Sequence, residues 1–277
     1  MAEAEGVEEG TERIALVIEY DGTDYSGFQV QANARTVQGE LEEALRKLLR
    51  RQVRVKGASR TDSGVHAEGQ VVAFDADAGY AGDVYRNALN YYLPEDIRVK
   101  AVYRVRPNFD PRRNATSRTY EYRILNTPAP SALRRCFVHW VSEPLDVERM
   151  GEAAMALVGT HDFAAFTVPC AATKGTTRHV YKYYVERRGE LVVVVSEANA
   201  YLYQQIRRAA GVLLRIGKGE IGTEEIEELL LRKQCGSAGP LLPARGLHLV
   251  RVSYPDFPPV SGVDDDKKVQ DISGKAV

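Results

Sequence analysis

An arginine, an aspartate and a histidine stand close together in residues 56–70, the run K-G-A-S-R-T-D-S-G-V-H-A-E-G-Q, as Arg60, Asp62 and His66. Gly57, Gly64 and Gly69 let the backbone turn sharply there or pass close to a ligand. A guanidinium near a carboxylate favours the ionised form, and an ionised aspartate at a surface cleft can act as a nucleophile or as a base. The same Asp62-Ser63-Gly64 also fits a plain hairpin turn in which the aspartate bonds its own backbone. Local chemistry leaves both readings open.

Composition narrows the setting. With 277 residues and 44% hydrophobic content the chain can bury a proper core, as one large domain or two of ordinary size. No run approaches the roughly 18 apolar residues of a membrane span, and the acidic N-terminus is unlike a signal sequence. The expectation is a cytoplasmic protein with no membrane association. Cys136, Cys170 and Cys235 are far apart and form no C-x-x-C pair, so they read as reduced and structural. The histidines at 66, 139, 161, 179 and 248 lack metal-pair spacing, and no metal is expected. No nucleotide-binding glycine motif is present, so no cofactor is expected either.

Net charge is −1, but the charges are unevenly placed. Arg46, Lys47, Arg50, Arg51, Arg54, Lys56 and Arg60 follow one another with no acid between them, and a second basic stretch runs from Arg98 to Arg123. Acid collects in the N-terminal tail, at Glu224–Glu228 and at Asp264–Asp266. Two basic stretches around the Asp62 segment suggest a phosphate-facing cleft.

The elements that must position these residues read in order. Residues 13–20 form a branched-residue strand stopped by Asp21-Gly22. Thr36 caps a helix with Val37, Leu41, Ala44, Leu45, Leu48 and Leu49 on one face and with Glu42–Arg46 and Glu43–Lys47 pairs. A strand at 71–74, a helix at 83–92 and a strand at 97–105 complete the first half, and residues 107–111 mark a boundary. The second half reads as a strand at 116–124, a helix at 146–158, strands at 180–187 and 191–196, a helix ending near Gly217 and a closing strand near 247–250. The 191–196 strand is so apolar that it should be central. Both halves share one element order, which predicts an α+β fold of two ferredoxin-like halves, their mostly antiparallel sheets joined side by side with a cleft between. The expected divisions are a tail at 1–12, domains at 13–107 and 108–258, and a polar tail at 259–277.

The string G-A-S-R-T-D-S-G-V-H-A followed by Q-V-x-x-F resembles the active-site signature of the tRNA pseudouridine synthase A family. Further motifs follow in that family's order. Residues 20–31 are similar to Y-D-G-x-x-Y-x-G-W-Q-x-Q, with Phe28 in place of tryptophan. Arg118-Thr119-Tyr120 is similar to its R-x-Y, and residues 159–166 to G-x-H-D-F-x-x-F. Residues 201–207 are similar to F-L-x-x-Q-(I/V/M)-R with Tyr201 in place of phenylalanine, and Pro243–Val250 to its closing strand. Ser59 replaces a common glycine.

The resemblance implies isomerisation of uridine to pseudouridine in the anticodon arm of tRNA, at positions 38, 39 or 40, without a cofactor and by a homodimer. It places Asp62 on the catalytic aspartate and Arg207 on the arginine that pairs with it, with Arg60 as a second cation. Tyr120 would stack on the flipped uracil and Leu247 wall it, with His66 and Gln29 also among the substrate-binding residues. A non-catalytic tRNA-binding or chaperone protein could use the same basic surface and Tyr120, but would not require Asp62, Arg207 and Tyr120 together. A metal-dependent hydrolase built on Asp62 and His66 lacks a second carboxylate cluster.

Overall fold

The computed structural model describes residues 11–77, 79–168 and 175–255. Most of the expected N-terminal tail, the C-terminal tail and Cys170 lie outside these residues, whereas Thr11 and Glu12 open the first strand. The chain divides into two compact units. The first holds the described residues of Met1–Ser63, Ala67–Ala115 and Val252–Val277, and the second holds Gly64–His66 and those of Thr116–Arg251. Residues 107–111, where the sequence suggested a boundary, fall inside the first unit.

The first unit carries β1 (Thr11–Tyr20), α1 (Val37–Leu49), β2 (Lys56–Gly57), β3 (His66–Asp77), α2 (Gly82–Tyr92) and β4 (Ile97–Val105). Its strand order is β4-β1-β3 with β2 on β3, and the pairings of β1 with β3, β1 with β4 and β2 with β3 are antiparallel. This is the order of a split β-α-β-β-α-β unit. Ile14, Leu16, Ile18 and Phe74 of the sheet are fully buried, as are Leu41 and Leu45 of α1 and Tyr85 and Leu89 of α2. The Thr36 hydroxyl accepts from the Gly39 N–H at 3.3 Å, the expected cap.

The second unit carries β5 (Ser117–Asn126), β6 (His139–Val141), α3 (Val147–Met155), β7 (Gly159–Asp162), β8 (Thr177–Arg188), β9 (Leu191–Ala198), α4 (Gln205–Gly217), α5 (Glu225–Arg232) and β10 (Leu247–Ser253). Its order is β10-β5-β9-β8-β7 with β6 beside β5. The architecture is α+β, and β9, whose first five residues are Leu191 and four valines, lies between β5 and β8, as its apolar run requires.

Three details depart from the sequence reading. Glu42 does not pair with Arg46; its carboxylate instead accepts from the Val55 N–H at 3.1 Å, Gln38 at 2.8 Å and Arg54 at 3.1 Å, tying α1 to the approach to β2. Arg46 turns back to Glu43, with both contacts at 2.7 Å. Glu224–Glu228, read only as an acidic cluster, runs into the start of α5, where acid suits the helix dipole and Ile226, Leu229 and Leu230 face inward. The short β6 pairs in parallel with β5, an addition to the repeated element order.

Candidate active site

In the first unit, Asp62 lies on the loop between β2 and β3, and that loop is gripped on both sides of it. Lys56 pairs with Ala73 and Gly57 with Val72, and the Ala58 N–H bonds the Val71 carbonyl at 2.8 Å. At Ser59 a side chain takes over. The Gln70 Oε1 accepts from the Ser59 N–H at 3.1 Å and its Nε2 donates to the Ser59 carbonyl at 2.8 Å. Tyr20 and Thr61 share a hydroxyl–hydroxyl hydrogen bond of 2.7 Å, and the Phe28 N–H donates to the Thr61 carbonyl at 3.1 Å. The Ser63 hydroxyl donates to the Tyr25 carbonyl at 3.0 Å.

The 21–35 loop is held in turn. Tyr25 donates to Asp96 at 2.5 Å, and the Arg35 guanidinium lies over the Tyr25 ring at 4.4 Å while pairing with Asp96 at 3.2 Å. Burial and the neighbouring carboxylate push the Tyr25 phenol well above its usual pKa, so it stays a donor. Gly27 has φ of 93° and its Cα sits against the 61–63 backbone; an added Cβ would meet the Thr61 carbonyl at 2.8 Å. Gly57 leaves the same room for the Phe28 ring, which an added Cβ would meet at 2.4 Å. Phe28 is fully buried against it, so an aromatic face suffices where the resembled family has tryptophan.

Arg60 is exposed, and its side chain makes no hydrogen bond or ion pair with any described residue, Asp62 included. The expected pairing of Arg60 with Asp62 is therefore absent from this geometry: a guanidinium on a solvated loop gains little from a fixed ion pair. Gln29 is exposed on the 21–35 loop. Several residues of the two basic stretches are occupied: Arg51 by Asp77 at 3.2 Å, Arg54 by Glu42 at 3.1 Å, Lys100 by Glu19 at 3.2 Å and Arg104 by Glu12 at 2.9 Å. Arg50 and Arg60 remain exposed without an ion-pair partner among the described residues.

The second unit holds the other named residues. Arg207 is in the first turn of α4, and its Nε donates to the Leu242 carbonyl at 2.8 Å. The turn that launches α4 has Gln204 in the left-handed region, φ 63°, and is braced by the buried Gln205 side chain, which accepts from the Leu202 N–H at 2.8 Å. The Thr167 hydroxyl adds a bond to the Tyr203 carbonyl at 2.9 Å. Gly211, one turn on from Arg207, lets the 240–242 segment come close; a Cβ there would stand 2.2 Å from the Pro240 carbonyl oxygen.

Tyr120 is buried on β5, edge-on to Tyr201 with ring centroids 5.3 Å apart. The Tyr201 hydroxyl bonds Ser196 at 2.7 Å, which accommodates a tyrosine where the resembled motif has phenylalanine; burial raises its pKa well above the usual value. Leu247 begins β10 directly after a 3₁₀ turn, Ala244–Gly246, and is buried. That turn is fixed by Tyr122, whose phenol donates to the Pro243 carbonyl at 2.8 Å while its ring occupies the space a Gly246 side chain would need.

His66 is 2% exposed, and its Nε2 donates to the Cys136 carbonyl at 2.8 Å. The ring stacks on His248 at 4.8 Å and leans on Phe137 at 4.9 Å. His248 makes the matching bond to the Phe137 carbonyl at 2.8 Å. The pair clamps consecutive carbonyls of one loop. Among the described residues no three carboxylate, histidine or cysteine side chains gather to hold a metal, and no helix is long and apolar enough to cross a membrane.

A family model described as tRNA pseudouridine synthase matches residues 16–112 and 153–255, which include Gln29, Arg60, Asp62, His66, Arg207 and Leu247 but not Tyr120. The chain belongs to the tRNA pseudouridine synthase family, isomerases that convert uridine to pseudouridine. Its similarity extends over nearly the full length of relatives named tRNA pseudouridine synthase A. The protein of Methylobacterium nodulans is 43% identical over 245 residues, covering 88% of this chain and 96% of that one. Those of Methylococcus capsulatus and Acetivibrio thermocellus are each 41% identical, over 88% and 87% of this chain and 90% and 99% of theirs.

Proposed function

We propose that this chain isomerises uridine at positions 38, 39 or 40 in the anticodon arm of tRNA, with Asp62 as the catalytic carboxylate. The observation that carries the reading is the grip on residues 59–63: five hydrogen-bonding groups from outside the loop hold its backbone and hydroxyls on either side of Asp62. Such anchoring is what a reacting carboxylate needs if it is to meet the base or ribose at bonding distance. Turning uridine into its C-glycoside breaks the N1–C1′ bond and remakes the link through C5. A carboxylate can serve as nucleophile or as base in that sequence, with no net redox change.

Arg207 supplies the positive charge that keeps Asp62 ionised when water leaves, since an opposite charge favours the ionised form. Tyr120 stacks on the extruded uracil, worth roughly 1–3 kcal/mol, and Leu247 gives it an apolar wall. Arg60 and Arg50, exposed and without an ion-pair partner among the described residues, take phosphates, and Gln29 contributes polar contacts. The enzyme works as a cytoplasmic homodimer on the folded tRNA arm.

Chemical mapping of pseudouridine in an unmodified tRNA transcript, after incubation with the pure protein and no added metal or nucleotide, tests the assignment. New pseudouridine confined to positions 38–40 is expected. Product elsewhere in the tRNA would overturn the site of action, and binding without product would point to a non-catalytic tRNA-binding role.

A further inference from the structure

We infer that Gln70 is a positioning residue for Asp62, its side-chain amide fixing the point from which the catalytic loop departs. The inference rests on the reading of Asp62 as the catalytic carboxylate. Gln70 is wholly buried in β3, opposite Ile18 of β1. Along β2 the register runs Lys56 to Ala73 and Gly57 to Val72, followed by the Ala58 N–H to the Val71 carbonyl, so the next residues in line are Ser59 and Gln70. There the Gln70 amide, not its backbone, accepts from the Ser59 N–H and donates to the Ser59 carbonyl, at 3.1 and 2.8 Å. Because a peptide N–H only donates and a carbonyl only accepts, the orientation of the amide is unambiguous.

A ladder of backbone bonds would have held Ser59 flat in the sheet. A side chain holding both its groups instead lets the chain leave the sheet at a fixed angle while both polar groups stay satisfied. From Ser59 the path to Asp62 is short, and Thr61 and Ser63 are each tied once more, to Tyr20 and Tyr25. Removing the amide frees the upstream end of this path while leaving the residues proposed to touch substrate unchanged. A loosened carboxylate loses rate rather than affinity, and a displacement of about 1 Å costs up to about a hundredfold.

The test is tritium release from tRNA carrying 5-tritiated uridine, with kcat and KM measured across pH for the full chain. Gln70→Met keeps the volume and removes both hydrogen bonds; kcat should fall about 10- to 100-fold with KM within about threefold. Gln70→Glu gives a signature that a merely structural role would not. Its buried carboxyl is driven toward the neutral form, and a neutral carboxylic acid can accept from the Ser59 N–H and donate to its carbonyl as the amide does. Its kcat relative to wild type should rise as pH falls from about 8 to about 6, below the raised pKa of such a buried acid.

If Gln70→Met does not fold, the pH profile of Gln70→Glu decides alone. A ratio flat in pH, or wild-type kcat in folded Gln70→Met, overturns the inference. Asp62→Ala run alongside separates the two claims. Turnover in that variant defeats the reading of Asp62, whereas a dead Asp62→Ala beside an unimpaired Gln70→Met defeats only the role of Gln70.

Discussion

The two units hold their key residues by different means. Asp62 sits on an irregular loop held by side-chain hydrogen bonds: the Gln70 amide on the Ser59 backbone, the Tyr20 hydroxyl on the Thr61 hydroxyl, and the Ser63 hydroxyl on the Tyr25 carbonyl. Arg207 sits on a regular helix, and its anchor is a main-chain carbonyl, that of Leu242, brought near by the missing side chain of Gly211. Side-chain hydrogen bonds can be removed one atom at a time with little change of shape. The Leu242 N–H also bonds the Arg207 carbonyl at 3.4 Å, and a backbone contact of that kind can be broken only by pushing chain segments apart. The Asp62 loop should therefore respond to subtle substitutions in rate, and the Arg207 helix to bulk, in stability first.

The largest effect on that contrast is expected from Gly211→Ala. Its methyl would lie 2.2 Å from the Pro240 carbonyl oxygen, so the 240–242 segment must move and take the Leu242 carbonyl away from Arg207. Thermal or urea unfolding should show a loss of about 1–3 kcal/mol despite the better helix propensity of alanine; an unchanged midpoint would mean that the segment yields freely.

Glu121→Gln comes next. Burial opposes ionisation of Glu121, but hydrogen bonds from Arg188 and Arg123 at 2.7 Å outweigh it and hold the pKa below the usual carboxylate value. A depressed folded-state pKa stabilises above the unfolded value and loses that contribution as pH falls through the folded one. With Arg188 partly solvated, the substitution should cost about 1–2 kcal/mol at neutral pH. The gap between variant and wild type should close as pH falls through the lowered folded-state pKa, beneath the usual carboxylate range, from urea midpoints taken across pH.

Tyr20→Phe removes one hydroxyl from the Asp62 loop. A loss of about 1 kcal/mol, read as an up to roughly tenfold lower kcat with KM little changed, would fit a loop whose order sets the rate. The smallest effect is expected from Tyr201→Phe, which restores the residue of the resembled motif and gives up the Ser196 bond. It should cost under about 1 kcal/mol in stability and leave kcat within twofold, since the edge-on contact with Tyr120 needs only the ring.

Regular elements were legible in the sequence because periodicity and caps act locally. The Thr36 cap, the α1 face and the centrality of β9 all follow from short-range patterns. What escaped reading depends on partners far along the chain. Glu42 chose Val55, Gln38 and Arg54 over Arg46 because a buried backbone N–H needs an acceptor more than an exposed pair needs closing. Much of the apparent basic surface is neutralised by acids on adjacent strands, which a running count of charge cannot see. His66 lies in the signature by sequence but packs on His248 and Phe137, and only the fold reveals that. Gln70 gave one local hint, a polar residue entering the buried run of β3, yet its partner could not be inferred from spacing.

The most direct test of the central claim is single-turnover tritium release by Asp62→Asn at saturating tRNA, beside the tRNA dissociation constant of the same protein. Asparagine keeps the shape and removes the charge. The account predicts that release falls by about 10²-fold or more while tRNA binding changes by less than about threefold. Release at the wild-type rate would contradict it and move the chemistry to another residue.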